Sequence, residues 1–349
     1  MTDPMLDVDT SKRFMLFPLE HEDLFDMYKQ AIAAFWTVEE IDVTVDIQHW
    51  KEKLTEDERR FIRHILAFFA GADAVVMENL DMNFSGEVAS AEARSFYAFQ
   101  GAVEAIHNET YNVLIDSLVE DQETKHHLFE ALESDPVVAQ KAEYAKKYLS
   151  KDIPFVKRLI AFVIFEGVFF SSSFCSIFWM KKRGLMPGLG LANSFIARDE
   201  NLHATFGVAL YHKLQPNTKL SASEIKDMFR AAVEIEEIFV RDALPVRLVG
   251  INADSMITYV KFVADFWLRK FGVHEALYNV QNPFDWMEMQ ALAPKDNFFE
   301  RRNTSYSKYS TMNDPVDDEI NWSPFSASMS SDCRPETRFS NACEGNVDF

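Results

Sequence analysis

Apolar residues recur along this chain at helical spacing, and no convincing alternating strand-and-hairpin pattern appears. Thr55 and Glu58 form a capping box ahead of FIRHILAFFAGADAVVMENL, which predicts about 25 residues of helix. A second helix is expected from about Ala91 to Val119. A third starts near Pro154 and ends at Lys181-Lys182-Arg183-Gly184, where the cations face the negative end of the helix dipole and the glycine suits a C-terminal cap. A fourth covers about Asn193 to Leu214. Ser221 and Glu224 open a fifth that runs to about Ala243, and a sixth covers about Asp254 to Phe271. The expected class is all-α, with helices longer and more apolar than a small bundle needs.

The segment Leu159–Met180 is apolar on every side and long enough to span a bilayer. Glu166 lies inside it, and a charged acid at bilayer depth costs about 2.5–3.5 kcal/mol on insertion scales. The segment is therefore read as the central helix of a large soluble fold, not a membrane span. The buried acid then needs a partner, because an unpaired carboxylate away from water is expensive.

The pattern changes after about Arg302. Residues 303–349 hold nine serines and eight acids against three bases, with no apolar period. They are expected to form a disordered tail. The first 13 residues are expected to be disordered too, leaving one domain over 1–302. The tail nevertheless ends on an apolar residue, Phe349. The whole chain of 349 residues carries a net charge of −20, which repels phosphate backbones and argues against nucleic-acid binding. Its 11 glycines are few, and no Gly-rich phosphate loop is present. Cys175, Cys333 and Cys343 form no CxxC pair, and no signal peptide is visible, so a reducing, cytoplasmic setting is expected.

Glu-x-x-His places a carboxylate and an imidazole one turn apart on a helix face, a spacing suited to metal chelation. The motif occurs at Glu104–His107, Glu123–His126 and Glu200–His203. With 9 His and 29 Glu in 349 residues, chance alone supplies about one such pair, so context must sort them. Glu123–His126 sits in the polar string EDQETKHHLFE and is read as a solvated segment. The other two sit in apolar helices, and each has an acid in an apolar helix upstream. Asp73 precedes Glu104 by 31 residues, and Glu166 precedes Glu200 by 34. Two helical hairpins facing each other would converge four carboxylates and two imidazoles, the ferritin-like di-metal arrangement. Four buried carboxylates would otherwise repel one another, and oxygen and nitrogen donors suit iron or manganese. Tyr111 follows His107 by four and lies on the same stripe. Phe170, Phe174 and Ile196 are placed to form an apolar cage around its phenol, the surroundings a long-lived phenoxyl radical requires.

These residues resemble the small, radical-generating subunit of class I ribonucleotide reductase, of eukaryotic or eukaryotic-virus type. The resemblance covers nearly all of residues 14–309. It rests on FWTVEEIDVTVDIQHW, AFFAGADAVVMENL, EAIHNETY, FEGVFFSSSFCSIFWMKKRGLMPGL, SFIARDENLH and NPFDWMEM with NFFERR. It implies two iron ions per chain, held by Asp73, Glu104 and His107 on one side and Glu166, Glu200 and His203 on the other; a Mn/Fe pair is the alternative metal content. It also implies that O₂ is used to place a stable radical on Tyr111. A transfer chain through His107, Asp199, Trp36 and a tail tyrosine would then lead to a large subunit that holds the nucleotide. Tyr306 is the better match for that tyrosine and Tyr309 the poorer. Trp50 is the rival tryptophan and is read as structural. The implied partners are a second copy of the chain, as a homodimer, and the large subunit, docked by the tail ending in Phe349. That tail is longer than expected and keeps only the acidic-plus-terminal-Phe part of the common eukaryotic ending.

Two other classes compete with this reading. A desaturase or ligand-binding oxidase has no use for Tyr111 with a terminal Phe. An iron store needs a short, cage-forming bundle, and a radical-inactive regulatory paralogue would lose a ligand or Tyr111, none of which is lost here.

Overall fold

The computed structural model describes residues 3–9, 14–244 and 248–287, the side chains at 81, 82, 132 and 133 excepted. Its helices are α1 (Glu22–Ala33), α2 (Thr44–Glu52), α3 (Glu56–Asn79), α4 (Ser85–Glu87), α5 (Ala91–Leu118), α6 (Gln122–Phe129), α7 (Ala131–Ser134), α8 (Pro136–Lys147), α9 (Phe155–Ile164), α10 (Ser171–Lys182), α11 (Pro187–Lys213), α12 (Ala222–Ala243) and α13 (Ala253–Lys270). Among the described residues the only β feature is a single bridge between Leu248 and Ile251. The fold is the all-α, ferritin-like class expected. Helix α3 packs along α5, α9 and α10 pack along α11, and α5 meets α11, so two helical pairs face each other across one core.

Both expected capping boxes form. Thr55 Oγ1 accepts from the Glu58 amide at 3.3 Å while Glu58 Oε2 accepts from the Thr55 amide at 2.9 Å, and Ser221 with Glu224 repeats the pattern on α12. Helix α10 ends as its sequence predicts. Gly184 takes φ +70°, and the amides of Gly184 and Leu185 return to the carbonyls of Lys181 (3.0 Å) and Met180 (3.1 Å), which closes the last turn.

Three expectations are corrected. The long helix after Pro154 forms as expected over Phe155–Lys182, but it is not regular throughout: a widened π turn at Phe165–Phe169 separates α9 from α10. Helix α11 begins at Pro187, six residues before the expected Asn193. Its GLG stretch reads as a breaker, but Asp46 on α2 caps it from outside, accepting from the Gly188 amide at 2.7 Å. At the N-terminus, residues 3–9 are held, not free: Met5 is buried, its carbonyl accepts from the Ala89 amide at 2.8 Å, and Asp3 Oδ2 accepts from the Gln215 amide at 2.7 Å. Helices α1, α2, α4, α6, α7 and α8 were not anticipated; each has 12 residues or fewer, and such short helices take most of their order from packing on the long ones.

The run Phe155–Lys182 is long and apolar enough to cross a membrane, yet 94% of its most apolar window is buried inside the fold. Its faces are covered by α11, α13 and α12, which is how a helix apolar all round is satisfied in a core. The expected boundary at 302 and the tail beyond it lie outside the described residues.

Candidate metal centre and its tyrosine

Four elements converge on one buried point. Helix α3 brings Asp73, α5 brings Glu104 and His107, the π turn brings Glu166, and α11 brings Glu200 and His203; all six are at most 2% exposed. They form two overlapping groups, Asp73–Glu104–His107 and Glu104–Glu166–Glu200–His203, within which donor atoms lie less than 4.8 Å apart. All six residues named from the sequence are therefore brought together. Glu123–His126 lies on the surface helix α6, away from both groups.

The hydrogen-bond state of these atoms tests whether metal ions fit. Both oxygens of Asp73 and of Glu200, one oxygen each of Glu104 and Glu166, and Nδ1 of both histidines are buried without a hydrogen-bond partner. Buried polar atoms are rarely left so. His107 Nε2 faces Asp199 Oδ2 at 3.3 Å, which fixes the proton on Nε2 and leaves Nδ1 a lone pair. That lone pair points at Glu200 Oε1, 2.9 Å away, and His203 Nδ1 stands 2.9 Å from Glu104 Oε1. Lone-pair donors facing one another at such distances need cations or protons between them, and an all-oxygen-and-nitrogen set suits iron or manganese.

Protons respond where the cations would sit. Burial, reinforced by the charge of Glu104, pushes Asp73 far above the usual carboxylate range, and burial with the Glu200 and Glu104 charges does the same to Glu166. Burial would raise Glu104 too, but the imidazoles of His203 and His107 outweigh it and hold it to about 2. The reciprocal effect lifts His203 to about 9 against its burial.

Tyr111 sits one turn beyond His107 and is 1% exposed. Its hydroxyl has no hydrogen-bond partner, and burial together with the Asp73, Glu200 and Glu104 charges pushes its pKa far up, so it is a neutral phenol. The expected Phe170, Phe174 and Ile196 are all buried. The ring that stacks on Tyr111 is one that sequence reasoning missed: Phe69, 4.5 Å between centroids and 5° from parallel, itself packed on Phe170 and Phe174. Its signal was its place four residues before Asp73 on α3. Gln100 was missed as well. Its side-chain amide donates to Glu166 Oε1 at 3.0 Å and Glu104 Oε1 at 3.3 Å, tying one carboxylate from each half of the site. It lies on the Gln100–Glu104–His107–Tyr111 stripe of α5, where its polarity on a buried face was the clue.

On the far side of His107 the structure brings Trp36 and Asp199 together. Trp36 Nε1–H donates to Asp199 Oδ2 at 2.7 Å, and the indole stacks on the His107 ring with centroids 5.9 Å apart. Burial would raise Asp199, but its bond with His107 and the charge of Arg198 outweigh that and keep it ionised. Arg198 Nε donates to Asp199 Oδ1 at 2.9 Å, and its guanidinium also reaches the Ala34 carbonyl, anchoring the loop that carries Trp36. Trp50 is buried in a different place, where the Arg59 guanidinium donates to its carbonyl. Tyr306, Tyr309 and Phe349 lie outside the described residues.

Comparison with known proteins bears on this arrangement as a whole. A profile described as "Ribonucleotide reductase, small chain" matches residues 13–283. The ribonucleoside-diphosphate reductase small chain of Nicotiana tabacum is 50% identical over 310 residues, 89% of this chain and 93% of that protein. The small chain of Variola virus is 49% identical over 301 residues, 86% of this chain and 93% of that one. Among solved structures, the ribonucleotide reductase Rnr4 homodimer of Saccharomyces cerevisiae superposes with a TM-score of 0.75 at 34% identity, covering 88% of this chain and 93% of that one.

Proposed function

The chain belongs to the ribonucleotide reductase small-chain family, and from that premise we propose how its residues divide the work. The activity is that of the small subunit of ribonucleoside-diphosphate reductase, which supplies a tyrosyl radical for the reduction of ribonucleotides to deoxyribonucleotides by a large subunit. The observation that carries the assignment of residues is the set of orphaned, inward-facing donors on Asp73, Glu104, His107, Glu166, Glu200 and His203, with Tyr111 one helical turn away.

In this assignment the six residues hold two metal ions, iron in the working enzyme. Bound there, the metals supply the reduction of O₂ and one oxidising equivalent. The chain's own residues do the rest. Tyr111 gives up an electron to that oxidising equivalent and its phenolic proton to Asp73, the carboxylate that acts most strongly on it; the two leave together because so buried a phenol does not ionise first. Phe69, Phe170 and Phe174 keep water from the resulting neutral radical. Gln100 sets the orientation of Glu166 against Glu104. Asp199 fixes the His107 tautomer and holds the Trp36 indole N–H, so that Trp36 can lose an electron while its proton stays hydrogen-bonded to the carboxylate. Tyr306 continues the path toward the large subunit. The chain works as a homodimer in the cytoplasm, and residues 303–349 tether the large subunit through Phe349.

Anaerobic titration of the metal-free protein with Fe(II), and separately with Mn(II), tests the metal assignment. Two equivalents per chain are expected, and Glu200→Ala should lose at least one. Binding of a single ion, or full binding by that variant, would refute the ligand set. The activity itself is tested by adding a large subunit: nucleoside diphosphate should be reduced only when both subunits are present.

A further inference from the structure

A second buried charge cluster packs on the helix that carries Glu166 and has no part in the chemistry above. Lys141, on α8, and Glu236, on α12, are both fully buried, and the ammonium lies 2.8 Å from Glu236 Oε2. It sits between two aromatic faces, 3.5 Å from the centroid of Phe68 and 3.7 Å from that of Phe239. Lys141 Nζ donates to the Phe169 carbonyl at 2.9 Å, and the Ser172 hydroxyl donates to Glu236 Oε1. The pair therefore grips the chain at both sides of the join between the π turn and α10.

Stability alone gives a poor reason for this cluster. A buried ion pair loses hydration on both partners, and apolar replacements of the same size are often neutral or stabilising. Its position supplies a better reason. The widened turn Phe165–Phe169 carries Glu166, and three consecutive carbonyls there receive side-chain donors. Gly167 accepts from Trp267 Nε1 at 3.1 Å, Val168 from Ser171 Oγ at 2.6 Å, and Phe169 from Lys141. Gly167 also lets the indole approach closely, since a Cβ there would stand 2.5 Å from Trp267 Nε1. A π turn is a rare geometry that occurs frequently at functional sites; of the two among the described residues, Leu80–Phe84 carries none of the six clustered residues and Phe165–Phe169 carries Glu166.

We propose that Lys141, held in place by Glu236, is a positioning residue that locks the π turn and so aims the Glu166 carboxylate at the metal centre. This rests on the assignment of Glu166 as a metal ligand. The cation is the one charged donor among the three carbonyl contacts, and charge-assisted bonds are the stronger kind. The aromatic faces on both sides leave the ammonium little room to turn away from the Phe169 carbonyl.

The test is the full-length double variant Lys141→Met/Glu236→Gln, which removes both charges and keeps the volume and an acceptor for Ser172. Metal-free protein should keep its melting temperature to within a few degrees. Amide exchange over residues 165–171 should become faster. In anaerobic Fe(II) titration, one of the two equivalents should bind more weakly by on the order of 10–100-fold, the usual effect of losing a group that orients a ligand. Wild-type exchange with two unchanged affinities would overturn the proposal. Lys141→Met alone, in which Glu236 can take up a proton, must give the same selective loss. Failure of both variants to fold would also overturn it, by making the pair a requirement of the fold and not of the carboxylate's aim. Glu166→Gln separates the two layers. It should weaken the same equivalent, and if it leaves both affinities unchanged the ligand assignment fails independently of the clamp.

Discussion

Trp36→Phe separates making the radical from exporting it. The substitution removes the 2.7 Å bond from the indole N–H to Asp199 Oδ2 in a site where Trp36 is 3% exposed and Asp199 6%. A hydrogen bond to a charged partner is worth about 1.5–3 kcal/mol net. Asp199 keeps Arg198 at 2.9 Å and His107 at 3.3 Å, so its carboxylate is not stranded, and the lower half of that range applies. The smaller ring also loses two buried ring carbons, a packing loss of about 1.6 kcal/mol at roughly 0.8 kcal/mol per buried methylene-sized group. The total, about 3.5 kcal/mol, corresponds to a fall in melting temperature of about 6 °C for a domain of this size. Such a protein remains folded at the assay temperature. Metal content and the Tyr111 radical, measured by anaerobic titration and EPR, should stay near wild type, because none of the six ligands and none of the cage residues is changed. Nucleotide turnover with the large subunit should fall at least about 100-fold, equivalent to roughly 2.7 kcal/mol on the barrier. A phenyl ring is much harder to oxidise than indole and has no N–H to share with Asp199. Turnover within a few-fold of wild type, with the radical present, would refute the relay role. Loss of metal and radical together would make Trp36 a structural residue.

Gln100→Leu removes the donor shared by Glu166 and Glu104, and Fe(II) affinity should drop by about 10-fold; an unchanged titration would remove Gln100 from the site. Asp46→Asn tests a pH dependence outside the metal centre. Burial pushes Asp46 up to about 6 against its bonds from Gly188 and Leu189, and a carboxyl raised in the folded state contributes stability that is complete below the unfolded value and lost as pH rises through about 6. The melting temperature of metal-free Asp46→Asn relative to wild type should therefore be more favourable at about pH 7 than at about pH 4, and a flat difference would contradict the shift. Deletion of residues 343–349 should leave metal content and radical intact while abolishing turnover, because a tethered segment concentrates its affinity in a few apolar anchors, here Phe349 and Val347. Full activity in the truncated protein would place docking elsewhere.

The clustering of the six residues was legible in the sequence because a carboxylate on an apolar helix is costly enough to demand a purpose, and because two Glu-x-x-His pairs with acids 31 and 34 residues upstream define two hairpins. The helix ends were legible where local chemistry marks them, as at Thr55, Ser221 and Gly184. The π turn was not. It is flanked by residues apolar on every side, so no phase in the pattern records the slip. The start of α11 was hidden because its cap, Asp46, comes from a helix 142 residues earlier in the chain. Phe69 and Gln100 carried only positional clues, one turn from Asp73 and from Glu104, while Lys141 is an ordinary member of its helix in sequence; each gains its role from contact with a distant element. Asp199 marks the limit of local reasoning: its neighbour Glu200 faces the buried carboxylate and imidazole cluster, and the contacts of Asp199 with His107 and Trp36 exist only in the folded packing.

The central claim is that the six buried ligands exist to oxidise Tyr111. Metal-free wild type and Tyr111→Phe should be loaded anaerobically with Fe(II), exposed to O₂ and examined by low-temperature EPR, with a parallel wild-type sample grown on ring-deuterated tyrosine. The account predicts a stable tyrosyl signal in wild type that narrows on deuteration, and no such signal in Tyr111→Phe, which still binds two irons. An unchanged tyrosyl signal in Tyr111→Phe, or none in fully loaded wild type, would contradict it.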